Sequence, residues 1–274
     1  MPILVGTSGW QYRDWKGVFY PPEVAQRRWL EHYAGRFATV ENNNAFYRLP
    51  ARETFANWRA RTPDGFVMAV KASRFLTHIK RLRDPSEPVA RLLGAVAGLG
   101  DRLGPILLQL PPNLHADPQR LDECLREFVS QGAAQRQAEG MAEGQAQGAA
   151  RGTAQGARPV RVRVAVEPRH DSWWTDEVRE VLASHRAALA WTDRLGRPLT
   201  RLWPTADWGY LRFHEGAASP WPRYGERALR SWAQRVSQAW PPDADVFVYF
   251  NNDQGGAAVH DAAAFAAIIG SAGS

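Results

Sequence analysis

Short apolar runs that stop at polar or ionisable residues alternate along this chain with longer stretches of helical periodicity. Ile3–Thr7, Thr39–Glu41, Phe66–Lys71, Pro105–Leu110, Val162–Val166, Ala188–Thr192, Gly209–Phe213 and Asp245–Phe250 read as strands. They lack long polar faces, as strands of a parallel sheet covered on its outside do. Glu23–Arg36, Arg52–Arg61, Pro85–Leu99, Pro118–Val129, Trp174–Ser184, Gly225–Ala239 and Ala257–Ile269 read as helices. Trp29, Leu30 and Tyr33 form one apolar face, Asp117 is a plausible N-cap, and Thr62-Pro63-Asp64-Gly65 marks a turn. Eight strands mostly alternating with helices predict a single α/β domain over residues 1–274, a TIM (β/α)8-like barrel. An open doubly wound sheet is the alternative, but no GxGxxG follows the first strand.

One stretch breaks the pattern. From Ala138 to Ala157 a four-residue unit repeats as AEGM, AEGQ, AQGA, ARGT, AQGA. A glycine in every unit costs about 1 kcal/mol each in a helix relative to Ala, and no apolar face offsets it. Residues 131–158 therefore read as a flexible insertion, disordered or weakly helical, without chemistry of its own.

Side chains alternate in and out along a strand. Val162, Val164 and Val166 share a face suited to covering helices, which turns Ala165 and Glu167 inward. By the same test Val67, Ala69 and Lys71 face inward, and Tyr210, Arg212 and His214 share a face. The other strand ends contribute Glu41 with Asn43, Gln109, Asp193, and Asn251 or Asn252. Side chains at the carboxyl ends of barrel strands are where active sites form. The sharpest concentration is RVAVEPRHDSWW, in which the apolar run gives way to Glu167, Arg169, His170 and Asp171. The last strand leads through Gly255 and Gly256 into a helix, whose N-terminal amides predict an anion subsite next to Arg212.

Composition narrows the partners. Net charge is +6, and only three of the 34 basic residues are lysines: Lys16, Lys71 and Lys80. The basic balance permits nucleic acid or anionic small molecules, but the arginines are scattered and no block resembles a nucleic-acid motif. Cys124 is the single cysteine, which excludes an intrachain disulfide or a Cys-based metal site. Leu121 and Leu125 beside it mark a core thiol. There is no leader-like start and no 18-residue apolar run, so the expectation is a cytoplasmic protein with no membrane partner. Twelve tryptophans suggest aromatic walls for a planar ring or a sugar face.

The segments GTSGWQYRDWKGVFYPP (6–22), VENNNAFYRLP (40–50), FVMAVKAS (66–73), ILLQLPPNL (106–114), VAVEPRHDSWW (164–174), YLRFHE (210–215) and VYFNNDQGGAAVHDA (248–262) together resemble the YecE-like family, domain of unknown function 72. The resemblance runs from end to end, leaving out the insertion and some helices. It implies a TIM barrel and no established reaction. It singles out Gly6, Ser8, Gly9, Trp10, Tyr12, Trp15, Glu41, Asn43, Phe46, Tyr47, Lys71, Glu167, Arg169, Asp193, Arg212, His214, Asn251 and Asn252. Glu215 stands where the family commonly has Gly, and His260 where it commonly has Asn. The Ala/Gly repeat is not a family feature.

Three chemistries are compatible with these residues. In an enzyme, Glu41 and Glu167 would be an acid/base pair on a polar or anionic, phosphate- or sugar-containing small molecule. Lys71 and Arg212 would then stabilise negative charge, and Trp10, Tyr12, Phe46 and Tyr47 would stack on a ring. Nothing requires a cofactor. Alternatively, Glu41, Glu167, Asp193 and His214 would suit Mg²⁺ or Mn²⁺ in an isomerase, hydrolase or nuclease, against which Lys71 and Arg212 weigh. The third is a non-catalytic barrel that senses a nucleotide or another anion through Arg212, Lys71 and the Gly255-Gly256 turn.

Overall fold

A computed structural model describes residues 3–147 and 162–272. The strands are β1 (Ile3–Thr7), β2 (Thr39–Asn42), β3 (Val67–Lys71), β4 (Leu103–Gln109), β5 (Val164–Glu167), β6 (Ala188–Leu189), β7 (Trp191–Arg194), β8 (Arg197–Pro198), β9 (Gly209–Phe213) and β10 (Val246–Phe250). They form two five-stranded sheets rather than one continuous ladder, in the orders β2-β3-β4-β5-β6 and β1-β10-β9-β7-β8. All pairings are parallel except the β7–β8 hairpin.

The sheets meet at two seams. β6 and β7 are separated only by Ala190, so one extended segment leaves β5 and joins β9. At the other seam Ser8 bridges Glu41, and the Gly9 amide donates to the Glu41 carbonyl at 2.8 Å. β1 approaches β2 closely because residue 6 is glycine: a Cβ there would lie 2.0 Å from the Thr39 carbonyl oxygen.

Two cores follow from the period-2 alternation of the strands. Val40, Met68, Val70, Ile106, Leu108, Val164, Val166, Leu211 and Val248 belong to the larger one, which includes helix residues such as Leu92, Leu125, Leu182 and Trp232. The smaller contains Ala69, Leu107, Ala165, Ala188 and Ala190, with Trp208, Tyr210, Phe247 and Tyr249 filling the space the alanines leave. Trp208, just before β9, and Phe247, near the amino end of β10, lie beneath the Arg163 guanidinium. Bulk at that end leaves the carboxyl ends as the place for a cavity.

The helix beginning at Pro118 runs to Gln147 and so enters the segment read as an insertion; residues 148–158 of that segment lie outside the described residues. Contacts explain part of the extension. Gly132 is buried against Val162, and Gln131 donates to the Ser86 carbonyl at 3.0 Å, so the first residues of the predicted insertion pack on the body. Cys124, on the same helix, is buried, which pushes its thiol up to about 12. No described helix is long and apolar enough to cross a membrane.

Candidate functional site

Arg212 organises the carboxyl ends of the strands. It is 2% exposed on β9, and its two Nη atoms reach in different directions. Nη2 donates to Glu41 Oε1 on β2 at 2.9 Å, and Nη1 to Glu167 Oε2 on β5 at 2.6 Å. One guanidinium thus joins two carboxylates 126 residues apart in sequence, on different strands of one sheet and opposite a strand of the other. Burial disfavours its charge, but Glu41 and Glu167 outweigh this and raise its pKa further.

Both carboxylates are saturated. Glu41 also accepts from Ser8 Oγ at 2.6 Å and Tyr210 OH at 2.6 Å. Glu167 Oε1 accepts from Gln109 Nε2 at 3.0 Å and from Arg169 Nε and Nη2 at 2.9 and 2.7 Å. Burial pushes the Glu167 carboxyl upward, but Arg212, His214 and Arg169 overcome it and hold it well below the usual carboxylate range. His214 Nε2 lies 3.2 Å from Glu167 Oε1 and its Nδ1 lies 3.2 Å from Asn251 Nδ2. A neutral ring with the proton on Nε2 satisfies both contacts. Burial lowers the His214 pKa despite Glu167, consistent with that neutral form.

Lys71, at the end of β3, differs from the arginines. Its Nζ donates to Gln109 Oε1 at 2.8 Å and lies 4.2 Å from the Phe46 ring centroid. It has no carboxylate partner among the described residues. Burial first, then Arg212, lowers its pKa to about 8. Gln109 is oriented by its own amide: Nε2 is committed to Glu167, which presents Oε1 to Lys71.

Above this network opens a cavity of about 680 Å³. Trp10, Tyr12, Asn43, Phe46, Tyr47, Lys71, Gln109, Arg169, Arg212, His214 and Asn251 line it, together with Gly9. Tyr47 is 83% exposed at the rim, while Trp10 is buried edge-on to Trp58. Ser8 lies beneath, on Glu41. Asn43 Oδ1 and Arg212 Nε are buried without a hydrogen-bond partner among the described residues. The lining also includes Gln11, Asn44, Arg194, Leu199 and Glu215, which the strand-end reading missed. Arg194 Nε donates to Glu215 Oε2 at 2.7 Å, placing an ion pair at the mouth. The signal for it was the Leu195-Gly196 turn, both residues at positive φ, which folds β8 back on β7.

Four expected residues lie elsewhere. Asp193 shares the outward face of Trp191: its Oδ2 accepts from Trp232 Nε1 at 2.8 Å and its Oδ1 from the Gly196 amide at 3.1 Å. Burial raises its pKa against those hydrogen bonds. Asn252 faces away from Asn251 and donates to the Pro222 carbonyl and Asp261, both at 2.8 Å. Gly255 and Gly256 do not border the cavity. The Gly255 amide is already engaged by Asp14 Oδ2 at 2.9 Å, so the expected anion position there is held by the protein's own carboxylate. The metal set fails on its donors: Asp193 is remote, and Arg212 sits where a cation between Glu41 and Glu167 would. No group of three His, Cys, Asp or Glu among the described residues is arranged to hold a metal ion.

Comparison with known proteins agrees on family and leaves the reaction open. The family model described as "Protein of unknown function DUF72" matches residues 4–274. The UPF0759 protein YunF of Bacillus subtilis is 24% identical over 278 residues, covering 93% of this chain and 90% of YunF. A DUF72 family protein of Thermotoga maritima superposes with a TM-score of 0.74 at 26% identity, covering 98% of this chain and 100% of that one. One from Enterococcus faecalis gives 0.71 at 17% identity, covering 98% and 95%, a likeness of fold. With a fold shared end to end and a family model spanning nearly every residue, the chain belongs to the DUF72 family.

Proposed function

We propose that the two sheets are the halves of a (β/α)8-like barrel and that its carboxyl-end cavity takes a small anionic molecule bearing a ring or sugar face, on which Lys71 acts as acid or base. The contiguity of β6 and β7 and the Ser8–Glu41 bridge support the barrel reading. The observation that carries the ligand reading is the charge pattern. Arg212 and Arg169 are tied to Glu41 and Glu167, and Arg194 to Glu215. Lys71, at the cavity wall, makes no direct ion pair among the described residues and feels Glu41 and Glu167 only at longer range. An anionic group placed there supplies a direct counter-charge in a partly desolvated site, where the interaction is stronger than in water. Trp10, Tyr12, Phe46 and Tyr47 line the cavity with aromatic surface for a ring or sugar face.

The acid/base role moves away from the carboxylates expected to carry it. Glu167, stabilised as an anion by Arg212, Arg169, Gln109 and His214, is a weak base, and Glu41 has both oxygens engaged. Lys71, brought to about 8, exchanges a proton near neutral pH. Calorimetric titration with inorganic phosphate and pyrophosphate tests the reading. Saturable one-to-one binding, weakened about tenfold or more (about 1.4 kcal/mol) in Lys71→Met, is expected. Absence of saturable binding, or equal affinity in Lys71→Met, would overturn it.

A further inference from the structure

We infer that Lys71 is a nucleophile that forms an imine with an anionic aldehyde or ketone held in the cavity. This rests on the anion-binding reading and adds covalent chemistry to it. Three features of the geometry point there. Nζ faces the cavity and has no carboxylate within ion-pair distance among the described residues. Its acceptor among the described residues, Gln109 Oε1, takes one N–H and leaves the other directions to the Phe46 ring and the cavity. Gln109 cannot turn away without losing its bond to Glu167, so the amine is held in place from the strand beside it. Arg169 lines the same cavity and, although paired with Glu167, keeps a side chain 40% exposed, which suits a carboxylate or phosphate on the same molecule.

The step balances without a further reactant. The Nζ lone pair forms a C–N bond to the carbonyl carbon, and the C=O π pair moves onto oxygen, which takes a proton from the nitrogen. The nitrogen pair then forms C=N as the hydroxyl leaves as water. Both amine protons end on the departing oxygen. The lowered pKa supports this by raising the free-base population: at neutral pH an amine titrating at about 8 is more than a hundredfold richer in free base than an ordinary lysine.

The three lysines provide an internal control. The full-length protein is incubated with glyoxylate, a carboxylate-bearing aldehyde, and imines are reduced with cyanoborohydride, whose hydride converts C=N to a stable secondary amine. Peptide mass spectrometry then compares carboxymethylation of Lys16, Lys71 and Lys80. We expect Lys71 to be modified about tenfold faster than the other two at neutral pH, with inorganic phosphate slowing it. Equal modification of the three lysines, or a slower rate at Lys71, overturns the imine even where phosphate binds. Selective modification of Lys71 that phosphate does not slow upholds the nucleophile and overturns the shared anion site.

Discussion

Replacing Arg212 by Met removes the one guanidinium that serves two buried carboxylates. Glu41 and Glu167 are 0% and 1% exposed, so neither can turn to water. Breaking a buried pair by deleting one partner costs about 3–5 kcal/mol, because it strands an uncompensated charge. Glu167 keeps Arg169, Gln109 and His214, and Glu41 keeps Ser8 and Tyr210. These contacts place the cost within that range and not at twice its size. For a chain of this length it corresponds to a fall in Tm on the order of 10 °C. Urea denaturation followed by tryptophan fluorescence and by circular dichroism measures it, with coincident transitions as the two-state check. The double variant Arg212→Met/Glu41→Gln should recover about 1 kcal/mol or more relative to Arg212→Met, since the stranded charge is gone while Ser8 retains an acceptor. A loss below about 1 kcal/mol in Arg212→Met, or a double variant no more stable than the single, would refute the claim that this guanidinium neutralises both carboxylates.

Other expectations follow from the same contacts. Asp193→Ala leaves Trp232 Nε1 and the Gly196 amide without their acceptor and should cost about 1–3 kcal/mol in urea denaturation, while phosphate affinity by calorimetry stays within about twofold. Gly255→Ala should destabilise by about 1–3 kcal/mol, because residue 255 has φ of 60° and a Cβ there would lie 2.3 Å from the Trp221 ring; thermal melting reads it. Lys71 titrates at about 8 in the folded chain and near 10.4 when unfolded, so the unfolded state binds more protons between those values. Its burial penalty is full below about 8 and is relieved as pH rises, so stability should climb from pH about 8 to about 9.5 more steeply in the native sequence than in Lys71→Met.

Much of this geometry was legible because strand alternation is local. The valine face of Val162, Val164 and Val166 turned Glu167 inward, and the same rule turned Lys71 and Arg212 toward it. Applied to the sixth strand, the rule also accounts for Asp193: Ala188 and Ala190 belong to the inner cluster, so Trp191 and Asp193 face the helices. Tyr249 inward likewise selects Asn251 over Asn252. What local pattern cannot carry is the identity of a distant partner. Asp14 lies 241 residues from Gly255, and no feature of the Gly-Gly turn announces that its amide is already taken. The saturation of both glutamates is of the same kind, since Ser8, Tyr210 and Arg212 arrive from three other places in the chain. The sequence pattern therefore located the charged groups, while three-dimensional pairing decided which of them remains available.

Whether Lys71 is free to meet an anion can be seen in crystals of the protein soaked in selenate. Selenium gives an anomalous signal that distinguishes the anion from water. Selenate is expected in the cavity within hydrogen-bonding distance of Lys71 Nζ, with the Arg212 guanidinium still joining Glu41 and Glu167. Selenate absent from the cavity but bound at the Gly255 turn in place of Asp14 would contradict this expectation.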